Sequence, residues 1–296
     1  MGSVLMKKFL IYLTVFLFVS CGSPQIPKWY VNTPKDTTLY FYSSAEGYTK
    51  ENALKNALND IASRINVKIS SSFVINKGIH NQKTYSEIYQ QINTQIKNID
   101  FNNYEIIKLK KEDGKYYVLL RVNKQKLISN LKHKINMQIG SVNFSADSPI
   151  KKVIKAYHAL KTIKKIKSRI FILESLGEPI DGYINQIQKI ENKARKIILN
   201  TKFKISANIY KTPSAEVLSK YLNIDKHSKN EIKIIISVKK LKLFNYYLIK
   251  GKATVFLNAP YTITFLGKSA SSFKEAEFFA KEEYKKRLLN LLKQIF

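Results

Sequence analysis

The chain has 296 residues and a mass of 34.2 kDa, which at about 100–200 residues per domain points to about two folded units. Its 45% hydrophobic and 12% aromatic content excludes wholesale disorder, and its single Cys excludes an internal disulfide framework and a cysteine-cluster metal site. The formal charge is +30, but only five of the 51 basic residues are Arg; because phosphate and base readout favours the planar Arg fork over the Lys point charge, nucleic acid is disfavoured as a partner. A solvated basic surface facing anionic lipid or polymer fits the Lys excess better.

In chain order, Lys7 and Lys8 precede an apolar run from Phe9 to Val19, and Ser20-Cys21-Gly22-Ser23 follows. A basic start, a short apolar core and a small residue before the cut are the parts of a secretory signal. The run is shorter than the roughly 20 residues that span a bilayer. Leu17-Phe18-Val19-Ser20-Cys21 resembles a bacterial lipoprotein signal, with Leu17 one position earlier than usual. That resemblance implies that residues 1–20 are removed and that Cys21 becomes the lipidated, palmitate-bearing first residue of the mature chain. The alternative is an ordinary cleaved signal with an incidental Cys. Met6 is a candidate for the true start. Without residues 1–20 the chain keeps 49 basic and 21 acidic residues, a charge of +28. Several acyl chains on one Cys give stable anchoring. Gly22 to Pro27 spans at most about 20 Å, so the folded part is expected close to its membrane. Gly22 is not the Asp that retains proteobacterial lipoproteins at the inner membrane, which implies the outer membrane.

Residues 21–38 read as anchor and lead-in, with Trp29 and Tyr30 between Pro27 and Pro34. These two aromatics fit an interface with membrane or partner, or a role in pinning the lead-in onto the first domain. The flanking prolines, which keep the segment extended, favour pinning. Leu39 to Ala45 reads as a strand, broken by Gly47. Thr49 caps a helix whose apolar face is Ala53, Leu54, Ala57, Leu58, Ile61 and Ile65. Val67, Ile69, Ser71, Phe73 and Ile75 alternate and predict a half-buried strand. Residues 80–98 carry Tyr85, Ile88, Tyr89, Ile92 and Ile96 at helical spacing. Tyr104 to Lys110 and Tyr116 to Val122 flank Glu112-Asp113-Gly114, a hairpin signal. Asn123 caps a helix carrying Leu127, Leu131, Ile135 and Ile139.

Residues 140–147 read as a linker. Apolar residues from Ile150 to Leu173 recur at three and four until Gly177 and Pro179, and Ile180 to Ile197 repeat the pattern. The spacing predicts a helical hairpin over 148–200, either a stalk or oligomer element or a pair packed on its neighbour. Residues 201–296 form a further α+β unit. Phe203 to Ile209 alternate, Thr212-Pro213 reads as a helix start, and Ile232 to Val238, Tyr247 to Leu257 and Tyr261 to Phe265 read as strands, with Gly251 interrupting the second. Ser272 and Glu275 form a capping box for a last helix presenting Ala276, Phe279, Ala280, Leu288, Leu291 and Ile295. The order of strand, helix, strands and helix echoes residues 39–139 and admits a distant duplication.

The sequence has no phosphate-cradling Gly-rich loop, no HExxH and no nucleophile elbow. His80, His133, His158 and His227 are scattered, and the adjacent Glu282 and Glu283 face different directions on a helix. No catalytic residue, metal ligand or cofactor is expected, and no enzyme. Residues 27–65 then show Pro27-x-Trp29-x-x-Asn32-x-Pro34, Tyr40-Phe41-Tyr42, Ala45-Glu46-Gly47, Ala53, Ala57 and Ile61-Ala62. This run resembles the Lpp-twenty lipoprotein family, and Ile65 to Ser71 and Tyr116 to Val122 also fit. The resemblance covers about residues 27–140 and diverges at Ser43-Ser44, where the family has a Gly-containing strand end. It implies an α+β envelope lipoprotein, related to surface antigens and to flagellar assembly lipoproteins, and it brings no catalytic residue.

The expected fold is α+β: an N-terminal antiparallel sheet with packed helices over 39–140, the helical hairpin over 148–200, and a second small α+β domain over 201–296. The expected function is a lipid-anchored outer-membrane protein with a structural or scaffolding role in the cell envelope, in the flagellar setting that the family suggests. Its partners are the membrane through Cys21 and a second copy or flagellar and envelope proteins, with Trp29 and Tyr30 as interface candidates. The second reading is an envelope binding module for an acidic polymer or host ligand, motivated by the charge of +28.

Overall fold

The structure, a computed structural model, describes residues 26–76 and 103–296, with the backbone alone for 69–76. The signal stretch, Cys21 and the helix expected over 80–98 lie outside the described residues. The chain divides into two compact units, Met1–Lys132 and His133–Phe296. Both are mixtures of helix and antiparallel-rich sheet, so the α+β class holds.

The first unit contains α1 (Lys28–Val31), β1 (Tyr40–Gly47), α2 (Lys50–Asn76), β2 (Tyr104–Glu112) and β3 (Lys115–Asn123), and α3 (Lys124–Gly140) begins in it. The strands form one antiparallel sheet in the order β1-β3-β2. The β2–β3 turn places Asp113 at φ 45° and Gly114 at φ 74°, a left-handed pair whose twist matches that of the strands it joins. Thr49 caps α2 by accepting from the Asn52 amide at 3.1 Å. The small Ala53 and Ala57 are fully buried where α2 lies on β1 and β3. Asn123 Oδ1 accepts from the Lys126 amide at 3.0 Å and starts α3.

Two expectations are corrected here. Residues 67–75 are not a strand, because α2 continues to Asn76. Once a helix is nucleated each further residue adds a hydrogen bond at little entropic cost, and Val67 stays 68% exposed rather than joining a sheet face. Nor is the lead-in extended between its prolines: Lys28–Val31 forms a helical turn, with the Tyr30 amide donating to the Pro27 carbonyl at 2.8 Å. Proline fixes its own φ but leaves the residues after it free to turn.

The second unit contains α4 (Pro149–Ser175), α5 (Asp181–Asn200), β4 (Lys202–Ala207), α6 (Lys211–Leu218), β5 (Asn223–Ile224), β6 (Glu231–Leu243), β7 (Tyr246–Phe256), β8 (Pro260–Ser269) and α7 (Phe273–Ile295). Ser148 and Pro149 start α4. A bond from the Glu178 amide to the Leu173 carbonyl, with Gly177 at φ 86°, closes it. The helical hairpin is packed rather than free-standing. Ile150, Val153 and Ile154 of α4 join the core of the β-sheet, and the Tyr157 hydroxyl donates to the Tyr221 carbonyl at 2.8 Å.

The sheet order is β5-β4-β6-β7-β8, with β4 parallel to β5 and β6 and the rest antiparallel. This pairing differs from that of the first sheet, where β1 runs antiparallel to its neighbour, so the two units share an element order without sharing a pairing. α7 covers β7 and β8. Gly267 permits this approach, since a Cβ there would lie 1.9 Å from the Ala276 carbonyl oxygen. Gly251 does not interrupt β7; its bare Cα makes room for the Phe265 ring.

Three local expectations in this unit also change. α6 starts at Lys211 after Tyr210 in a left-handed conformation, not with a Thr212 cap. The Ser272 hydroxyl does accept from the Glu275 amide at 3.2 Å, but the Glu275 carboxylate turns to the Ser269 hydroxyl instead of closing the box. The buried stripe of α7 runs Ala276, Ala280, Tyr284, Leu288, Leu292 and Ile295, leaving Phe279 exposed and Leu291 half-buried.

Candidate functional site

Among the described residues, the first unit offers a site where the lead-in meets the outer edge of β1, the side away from β3. An edge strand presents unpaired backbone groups that invite pairing with other chains. Here Asp36 and Arg64 occupy that edge at Tyr42. The Tyr42 amide donates to Asp36 Oδ1 at 2.9 Å, and the Tyr42 carbonyl accepts from the Arg64 guanidinium. Asp36 Oδ2 and the Arg64 guanidinium are themselves paired at 2.8 Å, and Asp60 lies 3.2 Å from the same Arg64. Asp60 also accepts from the buried Ser43 hydroxyl at 2.8 Å. Two residues further along β1, the Ser44 hydroxyl donates to the Tyr30 carbonyl at 3.0 Å and touches the Thr33 hydroxyl. The Thr37 hydroxyl accepts from the Tyr40 amide at 3.0 Å, closing the turn into the strand. Residues 30–37 therefore form a clasp along β1.

The interface candidates of the lead-in separate. The Tyr30 ring packs edge-to-face on Tyr117 of β3, with centroids 5.0 Å apart and planes at 73°. Burial, and then the nearby Glu46, push the Tyr30 hydroxyl above its ordinary pKa. Tyr30 thus pins the lead-in to the sheet. Trp29 is half-buried on α1, and Pro27 before it is buried. Nearby, Lys115 is held protonated by its hydrogen bond to Glu46 at 2.8 Å, which raises its pKa. Lys124 is pushed the other way by burial, and its ammonium donates to the Thr37 carbonyl of the clasp.

The remaining candidates are dispersed. His158 contacts the Ile295 carbonyl at 2.9 Å, while His133 and His227 lie exposed on α3 and before β6. Glu282 pairs with Lys285 and Glu283 with Arg287. Among the described residues, no group of three or more His, Cys, Asp or Glu is arranged to hold a metal ion, and no helix is long and apolar enough to cross a membrane. Local sequence pattern does not encode the clasp. Asp36 and Arg64 are far apart in sequence, and only the exposed edge of β1 makes them neighbours.

Residues 27–123 match the LPP20 lipoprotein family. The match ends at the last residue of β3, short of the limit near 140 that the sequence resemblance had given. Among solved structures, the chain is similar to the secreted protein HP1454 from the human pathogen Helicobacter pylori. The TM-score is 0.52 at 19% identity, over 86% of this chain and 98% of that one. This likeness concerns the fold alone. No curated protein matches the chain.

Proposed function

We propose that the chain is a lipid-anchored protein of the bacterial outer membrane, held through Cys21, with a structural or scaffolding role and no catalysis. The observation that carries this reading is the clasp. Packing starts at the buried Pro27 and continues through Tyr30, Thr33 and Asp36 onto β1. Only residues 22–26 separate it from Cys21, a reach of about 20 Å. A load on the lipid would pass directly into a sheet edge rather than into a long tether. The LPP20 match over 27–123 supports the lipoprotein class. Asp36 and Asp60 pair with Arg64, and Glu283 with Arg287, contacts that fit a structural role. The partners in this reading are other envelope proteins, those of the flagellar apparatus among them.

The test is Cys21→Ala with palmitate labelling and membrane fractionation. The parent chain should take up label and sediment with outer membranes, and the variant should lose the label. A parent chain that carries no lipid and stays in the soluble periplasm would refute the reading.

A further inference from the structure

The stretch 232–274 holds eight Lys, no Arg and no Asp or Glu. It comprises the whole β6–β7–β8 meander apart from Glu231 and ends as α7 begins. Its first hairpin reaches one residue pair beyond β8, and on the other side β4 pairs with β6 only as far as Ile234. Tyr247 is the last residue of β7 paired to β8, opposite Ser269, while β6 and β7 remain paired out to Leu243 and Tyr246. At that tip Leu243 is 52%, Phe244 96% and Tyr246 42% exposed. Phe244 also sits at φ 53°, a conformation that favours Gly or Asn and is rarely adopted by a bulky residue. It contributes almost no burial to the fold, so folding does not account for a Phe at this position. Lysines collar the tip. Lys268 Nζ stands 3.6 Å from the Tyr246 ring centre, Lys242 Nζ 5.1 Å from that of Tyr247, and Lys239 is exposed on β6 opposite Lys250. None of these lysines forms an ion pair with an acid among the described residues.

We propose that the β6–β7 tip is a second membrane contact: Leu243, Phe244 and Tyr246 enter the headgroup boundary of an anionic bilayer while Lys239, Lys242 and Lys268 meet its phosphates. Aromatic and aliphatic residues flanked by lysines whose alkyl stems lie along the apolar surface are the composition that interfacial lipid selects. Each Lys near an anionic surface adds attraction. A protein partner fits less well, because protein interfaces enrich Arg and deplete Lys, and here every cation is Lys. The contact does not depend on the lipid at Cys21, so it stands or falls separately from the anchor.

The test uses the mature chain with Cys21→Ser, which cannot be lipidated. It is sedimented with vesicles of phosphatidylethanolamine and phosphatidylglycerol, and with vesicles of phosphatidylcholine alone. The expected result is binding to the anionic vesicles that weakens with salt, little binding to the neutral ones, and a loss of about tenfold or more in the double variant Leu243→Ser, Phe244→Gly. Because these side chains are exposed, the variant should keep its fold, which its circular dichroism and melting temperature check. Absence of binding to anionic vesicles would overturn the proposal, as would binding that the double variant leaves unchanged. A concentration-dependent dimer in sedimentation equilibrium that the variant abolishes, without vesicle binding, would assign the tip to a second copy instead.

Discussion

At the scale of single residues, two aromatics show how the same side-chain class serves opposite ends. Tyr284 is fully buried in α7, its hydroxyl 2.7 Å from Ser214 of α6. Burial pushes its pKa up to about 12, and the Ser214 bond only partly offsets this. Since the folded value lies above the unfolded one of about 10, stability is fully present below pH 10 and is lost as pH rises towards 12. The loss reaches about 2–3 kcal/mol over that window. Tyr284→Phe should therefore cost about 1 kcal/mol at neutral pH yet narrow its deficit between pH 10 and 12. Urea unfolding of both chains across that range measures this; parallel curves would show that Tyr284 does not titrate with unfolding. Phe244 is the converse. Replacing it by Gly relieves a left-handed residue that costs roughly 1 kcal/mol, so Phe244→Gly should raise the melting temperature by a few degrees while lowering vesicle binding. A residue that only served the fold would move both readouts in the same direction.

At the scale of elements, the edge that β1 presents among the described residues is protected by chain that precedes it. Asp36→Ala removes the acceptor of the Tyr42 amide and the partner of Arg64. Because the pair is partly exposed, the expected cost is about 1 kcal/mol. The larger expected effect is aggregation, read by light scattering during slow heating, because the uncovered edge is a template for another strand. A variant that loses stability without added scattering would show that the edge is guarded by something other than the clasp. Periodicity and local chemistry made several of the elements readable from sequence: the Asp113-Gly114 turn, the Asn123 and Ser272 caps and the Gly177 stop all act within a few residues. What escaped was set by longer range. Val67 to Ile75 alternates like a strand, but α2 simply propagates through it. Tyr284 lies on the buried stripe with Ala280 and Leu288, but its three neighbours on either side in sequence, 281–283 and 285–287, are all charged and mask it. The clasp needed the knowledge that β1 is an edge. The hairpin tip needed a register, although the absence of acids from 232–274 was visible all along as a charge pattern.

At the scale of the whole molecule, the charge of the chain divides unevenly in a way that bears on the proposed membrane contacts. The total of +30 does not say where the excess lies; pairs such as Lys167 with Glu191 and Lys202 with Asp225 are already cancelled in it. The acid-free meander is different, since its lysines surround exposed apolar side chains. Lipid on Cys21 and the β6–β7 tip would then be two tethers on one chain. Linked weak contacts multiply, because the first raises the effective concentration of the second. Four chains separate them: the parent, Cys21→Ala, Leu243→Ser with Phe244→Gly, and all three substitutions together. In membrane fractions the parent and the tip variant should both resist a salt wash, because acyl chains bind through apolar transfer rather than charge. Cys21→Ala should remain partly associated at low salt and be released as ionic strength shortens the Debye length to about 8 Å. The triple variant should be soluble at every salt concentration. If Cys21→Ala is already fully soluble at low salt, the tip contributes no measurable tether in the envelope. If Cys21→Ala resists the wash as well as the parent does, the lipid is not what holds the chain.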